Sequence, residues 1–397
     1  MLIGRQVTVL GAGVAGLAVA RALALRGAEV TVLEQAPEIA EVGAGLQISP
    51  NGACVLRALG LGEALAAAGQ RAEAIELWDG PGAERVLRMD LARLRPGQDW
   101  RFVHRADLID LLAAGAREAG VRLRLLQKVE RVTLGPHRPR VLTAQGAEIE
   151  ADLLIGADGL HSKLREALNG TVAPFFTHHA AWRATIPAEP GLPPVARVYM
   201  GPGRHLVTYP LRGGTLRNIV AVEERHRWVE ESWSLTDDPI ALRMAFARFA
   251  PEVRGWLDRV EAPALWGLFR HPVAQHWQAS GSEGGPTGWG AAILGDAAHP
   301  TLPFLAQGAV MALEDAWVLC GALAEEPDLA AALARYEVLR RPRATRVVEA
   351  ANANARNYHL SGLPRAVGHV AMRLAGRLAP GRVMDRFDWL YGFDVTA

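Results

Sequence analysis

Cysteine is almost missing from this 397-residue chain: Cys54 and Cys320 are the only two. Two thiols cannot build a disulfide framework or a zinc site, and they fit a reducing cytoplasm. Lysine is nearly absent as well, represented by Lys128 and Lys163, so arginine carries the positive charge. We read that as genome composition, because acids offset it to a net charge of +1. A balance so close supplies no field for nucleic acid or acidic lipid. Long apolar runs are also lacking, and none approaches the ~18–20 residues of a membrane span. Arg5 followed by VTVLGAGVAGLAVA imitates a secretory leader. Three glycines break that run, and the pattern continues into a second strand, EVTVLE, so it reads as part of a fold. No internal repeat is present, and low complexity is confined to SGSEGGPTG at 280–288.

What is present is a chain that is 50% hydrophobic and long enough for two domains, or for one large domain with an insertion. VTVL is the apolar, β-branched text of a buried parallel strand. GAGVAG follows, with glycines at 11, 13 and 16, then a helix ending at Gly27 and a strand ending at Glu34. This layout binds dinucleotides: a tight turn at Gly11, close backbone approach at Gly13, and helix–strand packing at Gly16. The pyrophosphate is expected on the helix N-terminus. Glu34 follows the glycines by about 20 residues, where an acid accepts ribose hydroxyls. The fingerprint alone suits NAD or FAD.

Two more apolar strands end in comparable loops. DLLIGAD runs into Asp158–Gly159 ahead of a helix starting near Ser162, and AAILGDAAHP stops at Gly295–Asp296. Three such loops are expected on the sheet edge where open α/β folds bind ligands. The last one leads through TLPFLAQ into an amphipathic helix opening at Gln307 or Gly308.

With GAGVAG and Glu34, GADG at 156–159, and GDAAHPTLPFLAQGAVMALEDA at 295–316, nearly the whole chain resembles the single-component flavoprotein aromatic hydroxylases. The closest likeness is to the branch containing salicylate hydroxylase, 3-hydroxybenzoate 6-hydroxylase and 6-hydroxynicotinate 3-monooxygenase. EVGAGLQISPNGACVLRALGLGE at 41–63 and HLVTYPLRGG at 205–214 look like that branch too. The resemblance implies an α/β chain: a Rossmann-like FAD-binding domain, an inserted antiparallel-sheet substrate domain and a C-terminal helical segment. It implies FAD as cofactor, NADH or NADPH as co-substrate, and hydroxylation by O2 through a C4a-hydroperoxyflavin.

Site roles follow from the same resemblance. Gly11, Gly13, Ala15 and Gly16 would cradle the dinucleotide, and Glu34 would bind the adenosine ribose. Arg105, in HRADL, would reach the pyrophosphate or ribityl chain. Asp158 would brace the pyrophosphate region and bears on pyridine-nucleotide binding, and Asp296 would hold the ribityl hydroxyls. Pro300 and the Gly308–Ala309 backbone would line the isoalloxazine. Reduced flavin is negative near N1, and a helix N-terminus stabilises that charge without a lysine. Gln35 departs from the basic residue often found after the glutamate.

The roughly 130 residues between GADG and the third loop alternate and are punctuated by proline. AAWRATIP, ARVYMG, HLVTYPL and RNIVAVEE read as short strands of an antiparallel substrate sheet, joined by AEAIELWD and ERVLRMDL near 72–91. His205 and Tyr209 share one strand face with Cα atoms about 13 Å apart, able to flank a small aromatic ring. A histidine titrating near neutrality suits removal of a phenol proton. Gln47 is expected to reach the substrate. Arg183 is either a carboxylate anchor or a solvated strand residue, and His299 reads as loop packing. Leu302 and Pro303 stand where some relatives have a polar substrate contact. No second GxGxxG is present, so the nicotinamide is expected to dock transiently. No histidine shows metal-ligand spacing, and no metal is expected.

The implied organisation is FAD-binding at 1–71, 101–172 and 271–340, substrate-domain segments at 72–100 and 173–270, and C-terminal helices at 341–397. The last segment reads as a long helix interrupted or restarted at Pro342, then Arg-rich amphipathic text suited to packing and to a homodimer contact, with a membrane-surface helix as the alternative because Arg and Trp also suit an interface. Alternative readings are a ubiquinone-pathway-type hydroxylase and a flavin-dependent reductase or halogenase. WRATIP only partly matches the halogenase WxWxIP pattern, because Ala184 replaces the second tryptophan. A non-enzymatic flavin sensor has no feature in its favour.

Overall fold

The computed structural model describes residues 2–39, 44–225, 235–282 and 288–397. Residues 41–43 of the EVGAGLQISPN stretch and 283–287 of the glycine-rich loop lie outside the described residues. The first sheet has six strands in the order Gln278–Gly281, Trp289–Ile293, Leu153–Gly156, Gln6–Leu10, Glu29–Leu33 and Arg122–Arg124. All neighbours are parallel except the antiparallel edge strand Gln278–Gly281. The central strands carry continuous apolar text because both faces are covered, as a parallel sheet requires. The Val14–Ala24 helix is buried along nearly its whole length. Its alanines let it pack closely against the Gly308–Glu325 and Arg105–Glu118 helices.

The second sheet has eight strands and contains every strand read from the middle of the sequence. Its order is Leu235–Thr236, Ala264–Arg270, Phe175–Pro187, Leu216–Glu224, Arg204–Leu211, Val195–Gly201, Ala74–Asp79 and Glu84–Asp90. It is antiparallel apart from one pair, Val195–Gly201 beside Ala74–Asp79, which runs parallel. One face buries Trp182, Leu206, Phe246, Phe249 and Trp256 under two short helices, Pro239–Ala245 and Pro251–Asp258. The opposite face brings Ala181 and Val222 against Leu302, Phe304 and Ala355. The site therefore lies between the second sheet and the TLPFL loop.

The expected break at Pro342 is not found: one helix runs from Leu329 to Tyr358 with Pro342 inside it. Pro342 and Val338 both lie on the exposed side, where water can replace the missing hydrogen bond. A further helix, Gly362–Leu378, lies along the edge strand Glu84–Asp90. Gly376 permits the approach, since a Cβ there would come within 2.7 Å of Leu87. Among the described residues no helix is long and apolar enough to cross a membrane.

Candidate active site

Leu10, Gly156 and Ile293 are successive register partners, so the three loops that follow leave the sheet side by side. Gly11 has φ +92°, and a Cβ on it would sit 2.6 Å from the Ala157 carbonyl oxygen. Gly16 has no room either, because a Cβ would strike the Gly11 carbonyl. Gly13 is the opposite case: nothing lies within 4 Å of where its Cβ would be. The turn is thus closed toward the protein and open at Gly13, where a ligand's phosphates can meet the backbone. The helix that starts there has no capping side chain and no acid in its first turn, leaving its N–H groups for an anion. Ala15 lines this turn, and a Cβ on Gly295 would lie 3.1 Å from it.

Glu34 accepts from the Ala12 N–H at 2.7 Å and from the Ala36 N–H at 2.9 Å. A carboxylate has about four acceptor positions, so two remain for ribose hydroxyls. Asp158 Oδ2 accepts from the Lys163 N–H at 2.8 Å, while its Oδ1 is buried with no hydrogen-bond partner. Burial pushes the Asp158 carboxyl up. Asp296 meets solvent, yet the protein crowded around it pushes its carboxyl up too, against the pull of His299 and Arg105. The partnerless Asp158 oxygen, the space at Gly13 and the uncapped helix fit a dinucleotide.

The Gly308–Glu325 helix also starts without a capping side chain or a first-turn acid. Before it, Ala306 adopts the left-handed region at φ 54°, a conformation that costs a non-glycine residue about 1 kcal/mol or more. The Gln307 amide is occupied elsewhere: Nε2 donates to Ser49 Oγ at 2.9 Å, and Oε1 accepts from Asn51 at 3.0 Å. Gln307 thereby ties the helix start to the segment after Gln47. Pro300 is buried and Gly308 has only Thr301 nearby, 3.6 Å from a would-be Cβ.

On the second sheet, Arg183 projects from the Phe175–Pro187 strand on the side opposite Trp182. Its guanidinium stacks over Trp266 at 3.9 Å, and its Nε is buried without a hydrogen-bond partner. Burial lowers its pKa to about 10, with Arg105 pushing the same way and Tyr209 opposing. Arg105 in turn feels Asp296. These four groups share one electrostatic neighbourhood. Tyr209 is buried, stacked on Phe102 at 5.1 Å, and burial pushes its hydroxyl up. It rests over Gly45, where a Cβ would come within 2.6 Å of the ring. Gln47 Oε1 accepts from the Trp100 indole at 3.2 Å, which leaves its amide N–H groups to donate.

His205 departs from its expectation. It is 1% exposed, and burial holds its pKa well below the ordinary value, reinforced by His359 and His179. Its Nδ1 lies 2.8 Å from His359 Nε2, and His359 Nδ1 lies 2.8 Å from Glu224 Oε1. Burial also lowers His359, so both rings are neutral near pH 7. The tautomers follow. Glu224 accepts the His359 Nδ1 proton, His359 Nε2 therefore accepts from His205 Nδ1, and His205 Nε2 is left bare. His179, Glu224 and His359 also bring ligand-type atoms within 4.8 Å of one another. Sequence spacing concealed this group, because its members come from two strands and a helix end.

His299 is buried, as packing required, with Nε2 2.5 Å from Asp315 Oδ2. Asp315 and Glu314 are both paired with Arg340, at 2.7 Å and 2.6 Å, and Glu314 also with Arg343 at 2.7 Å. His299 and Arg340 together overcome burial and hold the Asp315 carboxyl well down. They lock the GDAAHP loop to both long helices.

A family model described as FAD binding domain matches residues 5–238 and 290–351. A 3-amino-4-hydroxybenzoate 2-monooxygenase from Streptomyces platensis is 35% identical, covering 98% of this chain and 96% of its own. A 3-hydroxybenzoate 6-hydroxylase from Polaromonas naphthalenivorans is also 35% identical, over 98% and 96%. Among solved structures, Klebsiella pneumoniae HpxO complexed with FAD and uric acid superposes with a TM-score of 0.81 at 25% identity, covering 96% of this chain and 95% of that one.

Proposed function

The chain belongs to the FAD binding domain family and is an FAD-dependent aromatic monooxygenase, and from that premise we propose that it hydroxylates a small hydroxylated aromatic acid. In this reading Arg183 anchors the carboxylate, Tyr209 and Gln47 orient the ring, and His205 removes the phenol proton. The observation that carries it is Arg183, a half-buried guanidinium whose Nε is buried and partnerless, backed by Trp266 on the face of the second sheet that also carries Tyr209. A buried cation without an anion is costly, and a carboxylate on an aromatic ring satisfies both the charge and the flat surroundings. The two relatives act, by their names, on hydroxybenzoates.

The chemistry that FAD would supply, when bound, is acceptance of a hydride from NADH or NADPH and transfer of one atom of O2 to the ring, the other leaving as water. Gly11, Gly13, Ala15, Gly16, Glu34, Arg105, Asp158 and Asp296 would hold it, with Pro300, Gly308 and Ala309 beside its ring. The uncapped helix end at Gly308 would offer about half a positive charge to that ring in its reduced form. His205 Nε2 takes the phenol proton, and Nδ1 releases one to His359. His359 passes its own to Glu224, whose side chain is 50% exposed. The chain of bonds thus carries the proton from a dry pocket to water. A phenolate is a stronger nucleophile than a phenol, so this step prepares the ring to accept oxygen. Cys54 and Cys320, pushed up by burial to about 12 and about 11, are unreactive thiols that suit a cytoplasmic enzyme.

Aerobic NADH and NADPH oxidation against a panel of hydroxybenzoates, aminohydroxybenzoates and decarboxylated analogues tests the substrate class. Acceleration by the acids but not by the corresponding phenols is expected. Equal acceleration by both would overturn the carboxylate anchor.

A further inference from the structure

We infer that the Gly362–Leu378 helix is a self-association surface, packed antiparallel against the same helix of a second copy. Its inward side presents Arg365, His369, Met372, Arg373 and Gly376 to the protein. Its outward side is apolar: Leu363, Val367, Val370, Leu374 and Leu378 are between 52% and 81% exposed. Ala366, Ala371 and Ala375 lie exposed among them, and Arg377 is the one charged residue on that side. A helix bordering water presents its polar residues outward, and this one does the reverse.

The charge pattern selects the occupant. A helix that rests on an anionic lipid surface carries basic residues beside its apolar face. Here Arg365 turns inward to Asp79, and Arg373 pairs with Glu84 at 2.6 Å, so neither rims the stripe. A second copy, by contrast, fits without any new group. A two-fold axis crossing between Val370 and Ala371 sets Leu363 opposite the partner's Leu378, Val367 opposite the partner's Leu374, and Ala366 opposite the partner's Ala375. It sets Arg377 opposite the partner's Pro364, away from any like charge. This is the self-complementarity an isologous contact needs, with large side chains meeting the shallow gaps over the alanines. The five large side chains expose on the order of 500 Å² of apolar surface, high in the ~300–600 Å² range of the largest patch on a monomer. Two copies would cover about 1,000 Å² in total, the threshold of a specific interface.

The test is the mass of the FAD-loaded protein by light scattering after size exclusion, compared with Val367→Glu and Leu374→Glu, together with co-sedimentation on phosphatidylglycerol vesicles. Wild-type protein at twice the chain mass, variants at the single-chain mass with unchanged flavin content, and no vesicle binding are expected. A monomeric wild type, a dimer that survives both charges, or wild-type protein that pellets with vesicles would each overturn the proposal.

Discussion

Arg183 is the residue on which substrate selection turns, and its chemistry sets the size of the effect. Hydrogen bonds to a charged group contribute about 1.5–3 kcal/mol, so Arg183→Gln should raise KM for the preferred acid by roughly 10- to 150-fold. It should leave FAD content unchanged, because the arginine faces the substrate side; steady-state kinetics and flavin absorbance measure both. His205 makes a second prediction. Its pKa is held below the usual histidine range, and a base acts above its pKa. Activity should therefore persist as pH falls through ~6.5, where an ordinary histidine would already be protonated. A kcat/KM profile that collapses at that pH would contradict the assignment. The sequence showed Arg183 as one of two equal readings because burial cannot be read from AWRAT. It showed His205 as a near-neutral base for the same reason: its partner His359 stands 154 positions away, and no local pattern announces the pair.

At the scale of elements, the loops and the helices they feed were legible, because glycine spacing and apolar runs are local signals. The two strand-to-loop edges at Asp158 and Asp296 stand in register with the first, as a ligand crevice at the carboxyl ends of a parallel sheet requires. What the helices hold between them was not legible. Nothing in the local sequence marks Glu314, Asp315, Arg340 and Arg343 as an interior cluster, yet the first three are essentially fully buried. Pro342 looked like a break, but its solvent-facing position lets the Leu329–Tyr358 helix continue. The end of that helix supplies His359, and with it a test of the proton path. His359→Gln should keep the fold and substrate affinity while lowering kcat, by about tenfold or more if proton release limits turnover. Glu224→Gln should move in the same direction by less, since its exposed carboxylate can be bypassed by water. A change in KM alone would assign His359 to packing.

At the scale of the whole molecule, the two largest sheets flank the candidate site, and the buried ion pairs join the GDAAHP loop to the long helices. Arg340→Met removes the partner that both carboxylates share, leaving Glu314 to Arg343 and Asp315 to His299, and breaking a buried ion pair typically costs about 3–5 kcal/mol. A Tm lower by several degrees and a weaker hold on FAD are the expected results of thermal unfolding with and without added cofactor. The Asp315 and Glu314 carboxyls are held down in the folded chain. Their stabilisation is therefore present above the usual carboxylate range and lost as pH falls through and below about 4. One measurement addresses the central claim most directly: turnover of the best panel acid with NADH or NADPH under ¹⁸O₂, with the product weighed by mass spectrometry. A product heavier than the same product formed under ¹⁶O₂ by two mass units, carrying one labelled oxygen on the ring, is predicted. Reduced-nucleotide consumption with no labelled aromatic product, across acids that accelerate it, would contradict the account.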